Sequence, residues 1–188
     1  MMKINCMMKC RQRGFSLLET MLAIGVITAV SVGVVWMYLS AKANSDLQKT
    51  EEIAQQVASA AQQYLSSSYD PADTVSTDEL VNGGLLPAGI VVTSAGGAKE
   101  IRGPFGSFTV DSVEGGEKQQ FYVVANDLPT KQAVDYCQHM FSNFAVFNGT
   151  TPNAAIASLN ECATKITANG DRSNVTIGSP KSASWTSV

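Results

Sequence analysis

Asp135, Cys137 and His139 bring a carboxylate, a thiol and the chain's single imidazole within five residues, the side-chain set that a thiolate nucleophile and its base require. Their spacing argues against that chemistry. On a helix, residues two apart diverge by about 200°, so Cys137 and His139 face different ways. Cys6 and Cys10 sit at a metal-ligand spacing, but no second ligand pair accompanies them. The glycine pairs match neither of the glycine-rich phosphate-binding patterns and read as turns. The expectation is therefore no catalytic residue, no metal and no cofactor.

Charge narrows the field further. The net charge of −3 hides an asymmetry: residues 1 to 14 carry Lys3, Lys9, Arg11 and Arg13 without an acid, and the remainder has 9 basic and 16 acidic groups. An acidic body argues against nucleic acid as a partner, because phosphate binding needs clustered Lys and Arg. The four cysteines divide along the same line. If the basic end stays in the cytoplasm, Cys6 and Cys10 are reduced, whereas Cys137 and Cys162 lie where disulfides persist. These last two are read as a bridge, for which loop-closure entropy gives ~3 to 4 kcal/mol of stabilisation.

The feature that organises the chain lies between Glu19 and Lys42, where 22 consecutive residues carry no charge. As a helix this run is about 33 Å long, enough to cross a hydrocarbon core. Four cations before it place that end in the cytoplasm and the rest outside. A secretory signal would be cut after its apolar run, which is normally shorter than this one. A lipoprotein would carry its cysteine after the run, not before it. A plain single-pass anchor accounts for length and charge but leaves Glu19 unexplained, since a carboxylate at the edge of such a span calls for a partner.

The string Gly14-Phe15-Ser16-Leu17-Leu18-Glu19, after a basic leader and before an uncharged helix, resembles the prepilin-processing signature of type IV pilins and pseudopilins. The resemblance implies that a prepilin peptidase cuts after Gly14, removing residues 1–14, and N-methylates Phe15. It also implies that Glu19 pairs with the new Phe15 ammonium one turn away, within or between subunits, and so sets the register of packed helices. Gly25, Ala29 and Gly33 recur every four residues and are expected to form a close-packing face. The proline usual inside this span in the family's short-leader subgroup is absent here.

Downstream, no Gly or Pro interrupts residues 41–69, and Leu47, Ile53, Val57, Ala60, Ala61 and Tyr64 fall at spacings compatible with one apolar helix face. The spacing predicts one helix from Phe15 to about Ser67: residues 15–41 for membrane or filament core, and residues 42–68 as an amphipathic half. Ser66 to Ser68 and Asp70-Pro71 supply its stop. Residues 69–188 form the expected head. Within it the pattern predicts a capped short helix ending at Gly83-Gly84, and strands over Ile90–Thr93, Phe105–Val113 and Gln120–Ala125. Turns are expected at Gly96-Gly97, Gly103-Pro104 and Gly115-Gly116. Helical character follows over Pro129–Phe144 and Ala154–Thr164, then a strand over Val175–Ile177. Phe141, Phe144 and Phe147 are read as core. The fold class expected is α+β, a long helix on a small antiparallel sheet with a disulfide-bounded C-terminal region. The Gly103 to Gly106 turn and the late cysteine pair look like the type IVb subgroup, whose members include adhesive and conjugative thin pili.

The function this implies is structural: a precursor in the inner membrane of a Gram-negative bacterium, N-terminus cytoplasmic and head periplasmic, that polymerises with copies of itself into an extracellular pilus. Such a pilus would serve adhesion, aggregation or mating contact. Implied partners are the prepilin peptidase, an inner-membrane assembly platform with its ATPase, an outer-membrane secretin, and the membrane before assembly. A minor pilin or tip adhesin, and a pseudopilin of a type II secretion system, are the rival readings.

Overall fold

The structure is a computed structural model that describes residues 16–67, 74–93, 97–113, 120–152, 155–167 and 170–181. Gly14, Phe15, Cys6 and Cys10 lie outside the described residues, as do Gly96, Gly115, Gly116, Asp70, Pro71 and Ala154. In chain order the elements are α1 (Leu17–Ser67), α2 (Thr77–Asn82), β1 (Val91–Thr93), β2 (Lys99–Arg102), β3 (Ser107–Ser112), β4 (Phe121–Pro129), α3 (Thr130–Met140), β5 (Ala145–Asn148), α4 (Leu159–Thr167) and β6 (Arg172–Ser179). The chain divides into two compact units, residues 1–42 and 43–188, and α1 contributes to both.

In the first unit α1 has no buried residue from Leu17 to Lys42. Three of its hydroxyls are satisfied from within. Thr20 Oγ1 donates to the Leu17 carbonyl, Thr28 Oγ1 to those of Ile24 and Gly25, and Ser31 Oγ to that of Ile27. A β-branched or hydroxyl-bearing helix that answers its own polar groups can sit in an apolar medium without leaving those donors unmet.

The second unit is built on a six-stranded antiparallel sheet in the order β1-β2-β3-β4-β6-β5. Strand alternation puts Ile101, Phe108, Val110, Phe121, Val123, Ala125, Val175 and Ile177 on one face, where they join a single core. The head half of α1 meets that core through Leu47, Thr50, Ala54, Val57, Ala58 and Ala61, an i, i+3, i+4, i+7 stripe. The apolar face predicted from sequence is thus rotated slightly. Ile53 and Tyr64 end up half-buried at its margin, and the alanines take the centre because small side chains let a helix approach a sheet. Thr50 is tolerated there because its hydroxyl donates to the Asp46 carbonyl at 2.8 Å.

Local chemistry explains the other elements. Ser76 caps α2, its Oγ accepting from the Glu79 amide while the Glu79 carboxylate accepts from the Ser76 amide, a reciprocal capping box. Thr77 Oγ1 then ties α2 to the sheet, donating to the Val110 carbonyl and accepting from its amide. The Gly103 to Gly106 turn closes with the Gly103 amide donating to the Gly106 carbonyl at 2.8 Å. Gly106 is required there: a Cβ would stand 2.2 Å from the Asn126 carbonyl oxygen.

Several elements differ from the sequence reading. β2 and β5 were not expected, and β4 runs on to Pro129 through an irregularity between Ala125 and Leu128. At that irregularity Asp127 takes φ 63°, held by its amide donating to Asn174 Oδ1 and by an ion pair with Arg172. Helix α3 ends at Met140, four residues before Phe144, and α4 begins at Leu159.

Candidate assembly site

Glu19 occupies the first turn of α1, where the helix begins with the Glu19 and Thr20 amides both donating to the Ser16 carbonyl. An acid in a first turn is favoured by the helix dipole. Its carboxylate is exposed and surrounded by an apolar surface, with Leu17, Leu18, Met21 and Leu22 each at least 65 % exposed. Glu19 is the only charge from Leu17 to Ala41.

Gly25, Ala29 and Gly33 fall on one side of this helix, within about 80° of arc. A Cβ added at Gly25 or Gly33 would meet nothing within 4 Å. Within a single chain these positions are an open shallow groove. Among the described residues nothing fills the groove, and no side-chain partner meets the Glu19 carboxylate.

In the head, Cys137 of α3 and Cys162 of α4 are joined, S–S 2.04 Å and Cα–Cα 5.9 Å, and both are fully buried. The oxidised sulfur cannot serve as a thiolate, which removes the nucleophile reading of Asp135, Cys137 and His139 on chemical grounds. His139 instead places Nδ1 2.5 Å from Glu51 Oε1 of α1. Beside this pair Tyr136 is fully buried, with no hydrogen-bond partner for its hydroxyl among the described residues. Burial, and secondarily the Glu51 charge, push its phenol well above the ordinary value. Phe147 is fully buried, whereas Phe141 and Phe144 are half-buried against the core. The Lys181 ammonium lies 4.6 Å from the centroid of the Phe141 ring and donates to the Phe141 and Ser142 carbonyls. Sequence reasoning had no access to the Glu51–His139 or Lys181–Phe141 contacts, which join residues 88 and 40 apart.

Comparison with known proteins adds two findings. Residues 9–35 match the prokaryotic N-terminal methylation motif, a stretch that spans the Gly14-Phe15 junction, Glu19 and all three small residues of the groove. The crystal structure of a type IVb pilin from Salmonella typhi superposes with a TM-score of 0.50 at 13 % identity, over 71 % of this chain and 97 % of that one. Among curated proteins, none is similar enough in sequence to count as a match. The chain thus joins a prokaryotic N-terminal methylation motif at the start of α1 to a body with the fold of a type IV pilin.

Proposed function

We propose that this protein is a structural subunit of a type IV pilus, made as a membrane-held precursor and polymerised through the first half of α1. The observation that carries the reading is the uncharged, wholly exposed helix surface that follows Glu19, while the buried core of the described residues lies entirely from Leu47 onward. A surface of that size demands an apolar environment, and a lipid bilayer followed by a bundle of identical helices supplies one at each stage. Cleavage between Gly14 and Phe15, methylation of Phe15, pairing of its ammonium with Glu19, and close approach at Gly25, Ala29 and Gly33 are the steps this reading assigns. Residues 15–41 are the polymerising half, residues 42–68 the half that packs in the head, and residues 69–188 the rest of the head and outer surface. An assembly platform with its ATPase and an outer-membrane secretin would handle it, and the head would serve adhesion, aggregation or mating contact. The late disulfide and the Gly103 to Gly106 turn favour the type IVb subgroup.

The test is the intact mass and N-terminal sequence of protein sheared from cells that express the whole system. The reading expects an abundant product starting at N-methylated Phe15, two hydrogens lighter than its reduced form. Full-length protein that stays with the cells overturns it. Processed protein that is scarce in the sheared fraction points to a minor subunit or a pseudopilin.

A further inference from the structure

The apolar part of α1 is not uniform along its length. Leu17 to Val35 contains no aromatic residue; Trp36 and Tyr38 then follow within three positions, and Lys42 ends the uncharged run. Trp36 is 74 % exposed and Tyr38 66 %. Two residues apart on a helix, they project about 200° from one another. A pair aimed at one packing partner would share a face. A pair that marks a plane crossed by the helix has no such constraint, and the amphipathic rings of Trp and Tyr favour the plane where acyl chains meet headgroups.

We propose that Trp36 and Tyr38 form an aromatic collar that seats the membrane-held precursor at the periplasmic headgroup boundary, and thereby fixes Glu19 at the cytoplasmic one. The distances agree. From Glu19 to the middle of the collar is 18 residues, about 27 Å at the helical rise. A hydrocarbon core is about 30 Å thick. The Lys42 ammonium lies one turn beyond, where it reaches phosphate oxygens. In this register the Glu19 carboxylate is in the headgroup layer, not in hydrocarbon, and is hydrated there. Its need for a partner is therefore greatest once the helix leaves the bilayer. The proposal rests on the membrane-held stage of the pilus reading, and concerns the register of the helix in that stage.

The experiment uses the full chain in phosphatidylcholine vesicles that carry bromines at shallow, middle or deep acyl positions, with Trp36 fluorescence isolated as the difference between the unchanged chain and W36F. A W185F variant, in which Trp36 is the sole tryptophan, gives the same quantity independently. The expected result is strongest quenching by the shallow bromines, with Trp36 at about 15 Å from the bilayer centre, and the same depth in E19Q. Strongest quenching by the deep bromines, or a change of Trp36 depth in E19Q, overturns the collar while leaving membrane insertion intact. No quenching at any depth overturns the collar together with the membrane-held stage. Neither result alters the sheared-filament measurement, so the failures are separable.

Discussion

His139, in the last turn of α3, directs Nδ1 at Glu51 Oε1 of α1 at 2.5 Å, and the next inward residue of α3 on that side, Tyr136, keeps its hydroxyl wholly buried, with no hydrogen-bond partner among the described residues. The contact joins the helix that carries the disulfide to the helix that carries the apolar segment. Its His side chain is 58 % exposed and its Glu 18 %. Pairs this open to solvent contribute little, so a double-mutant cycle with Glu51→Gln and His139→Gln in the head should give a coupling of about 0.5 to 1 kcal/mol, falling with added salt. A coupling of several kcal/mol would show that the pair is far less hydrated than its exposure indicates.

Tyr136→Phe should leave the head as stable or more so, by up to about 1 kcal/mol, because it deletes a buried hydroxyl that makes no hydrogen bond among the described residues. The same change should alter the alkaline limb. The folded phenol titrates above its unfolded value of 10.0, so its contribution is fully present below that pH and is lost as pH rises past it. Urea midpoints from pH 8 to 11 should fall more steeply for the unchanged head than for Tyr136→Phe. Parallel curves would mean that Tyr136 finds a partner or solvent.

Among the described residues, every buried apolar one lies within 43–188. A fragment of those residues should fold cooperatively, remain soluble and lose about 2 to 4 kcal/mol when Cys137 and Cys162 are both replaced by Ala, since their bond closes a loop over a sequence separation of 25. Circular dichroism and urea titration of the two fragments measure this. Equal midpoints would assign the disulfide a role other than stability.

Gly106→Ala should destabilise the head by roughly 1 to 3 kcal/mol, because the new methyl meets backbone, the Asn126 carbonyl at 2.2 Å, which no rotamer can relieve. Gly25→Ala and Gly33→Ala, where a Cβ meets nothing within the chain, should leave thermal unfolding of the head unchanged. Any loss they cause would appear only in filament yield from intact cells. A lowered head melting temperature for either would argue that the helix surface is packed within the single chain.

The periodic elements could be read directly. The long helix, α2, most of β3 and the sense of α3 follow from spacings and caps that local sequence carries. β2 could not be, because Lys99-Glu100-Ile101-Arg102 offers one inward apolar residue among three charged ones, and only its pairing with Val91 and Phe108 makes it a strand. β5 was hidden for a different reason: Ala145 to Phe147 is a three-residue apolar run directly after the predicted helix, too short to stand out as a strand until the pairing of Val146 with Ile177 draws it into the sheet.

The assembly segment was almost wholly a sequence matter. Its length, its single carboxylate, the basic leader and the spacing of Gly25, Ala29 and Gly33 are one-dimensional facts, and the structure adds to them only that residues 17–42 are exposed among the described residues. The head was decided in three dimensions. Which face of α1 is buried, that Glu51 meets His139, that Asp127 turns to φ 63° at the β4 irregularity, and that Gly106 must be glycine all depend on contacts between residues tens of positions apart. Such contacts form only when the sheet closes over the helix, because burial and backbone pairing are properties of the assembled core and not of any local stretch of chain.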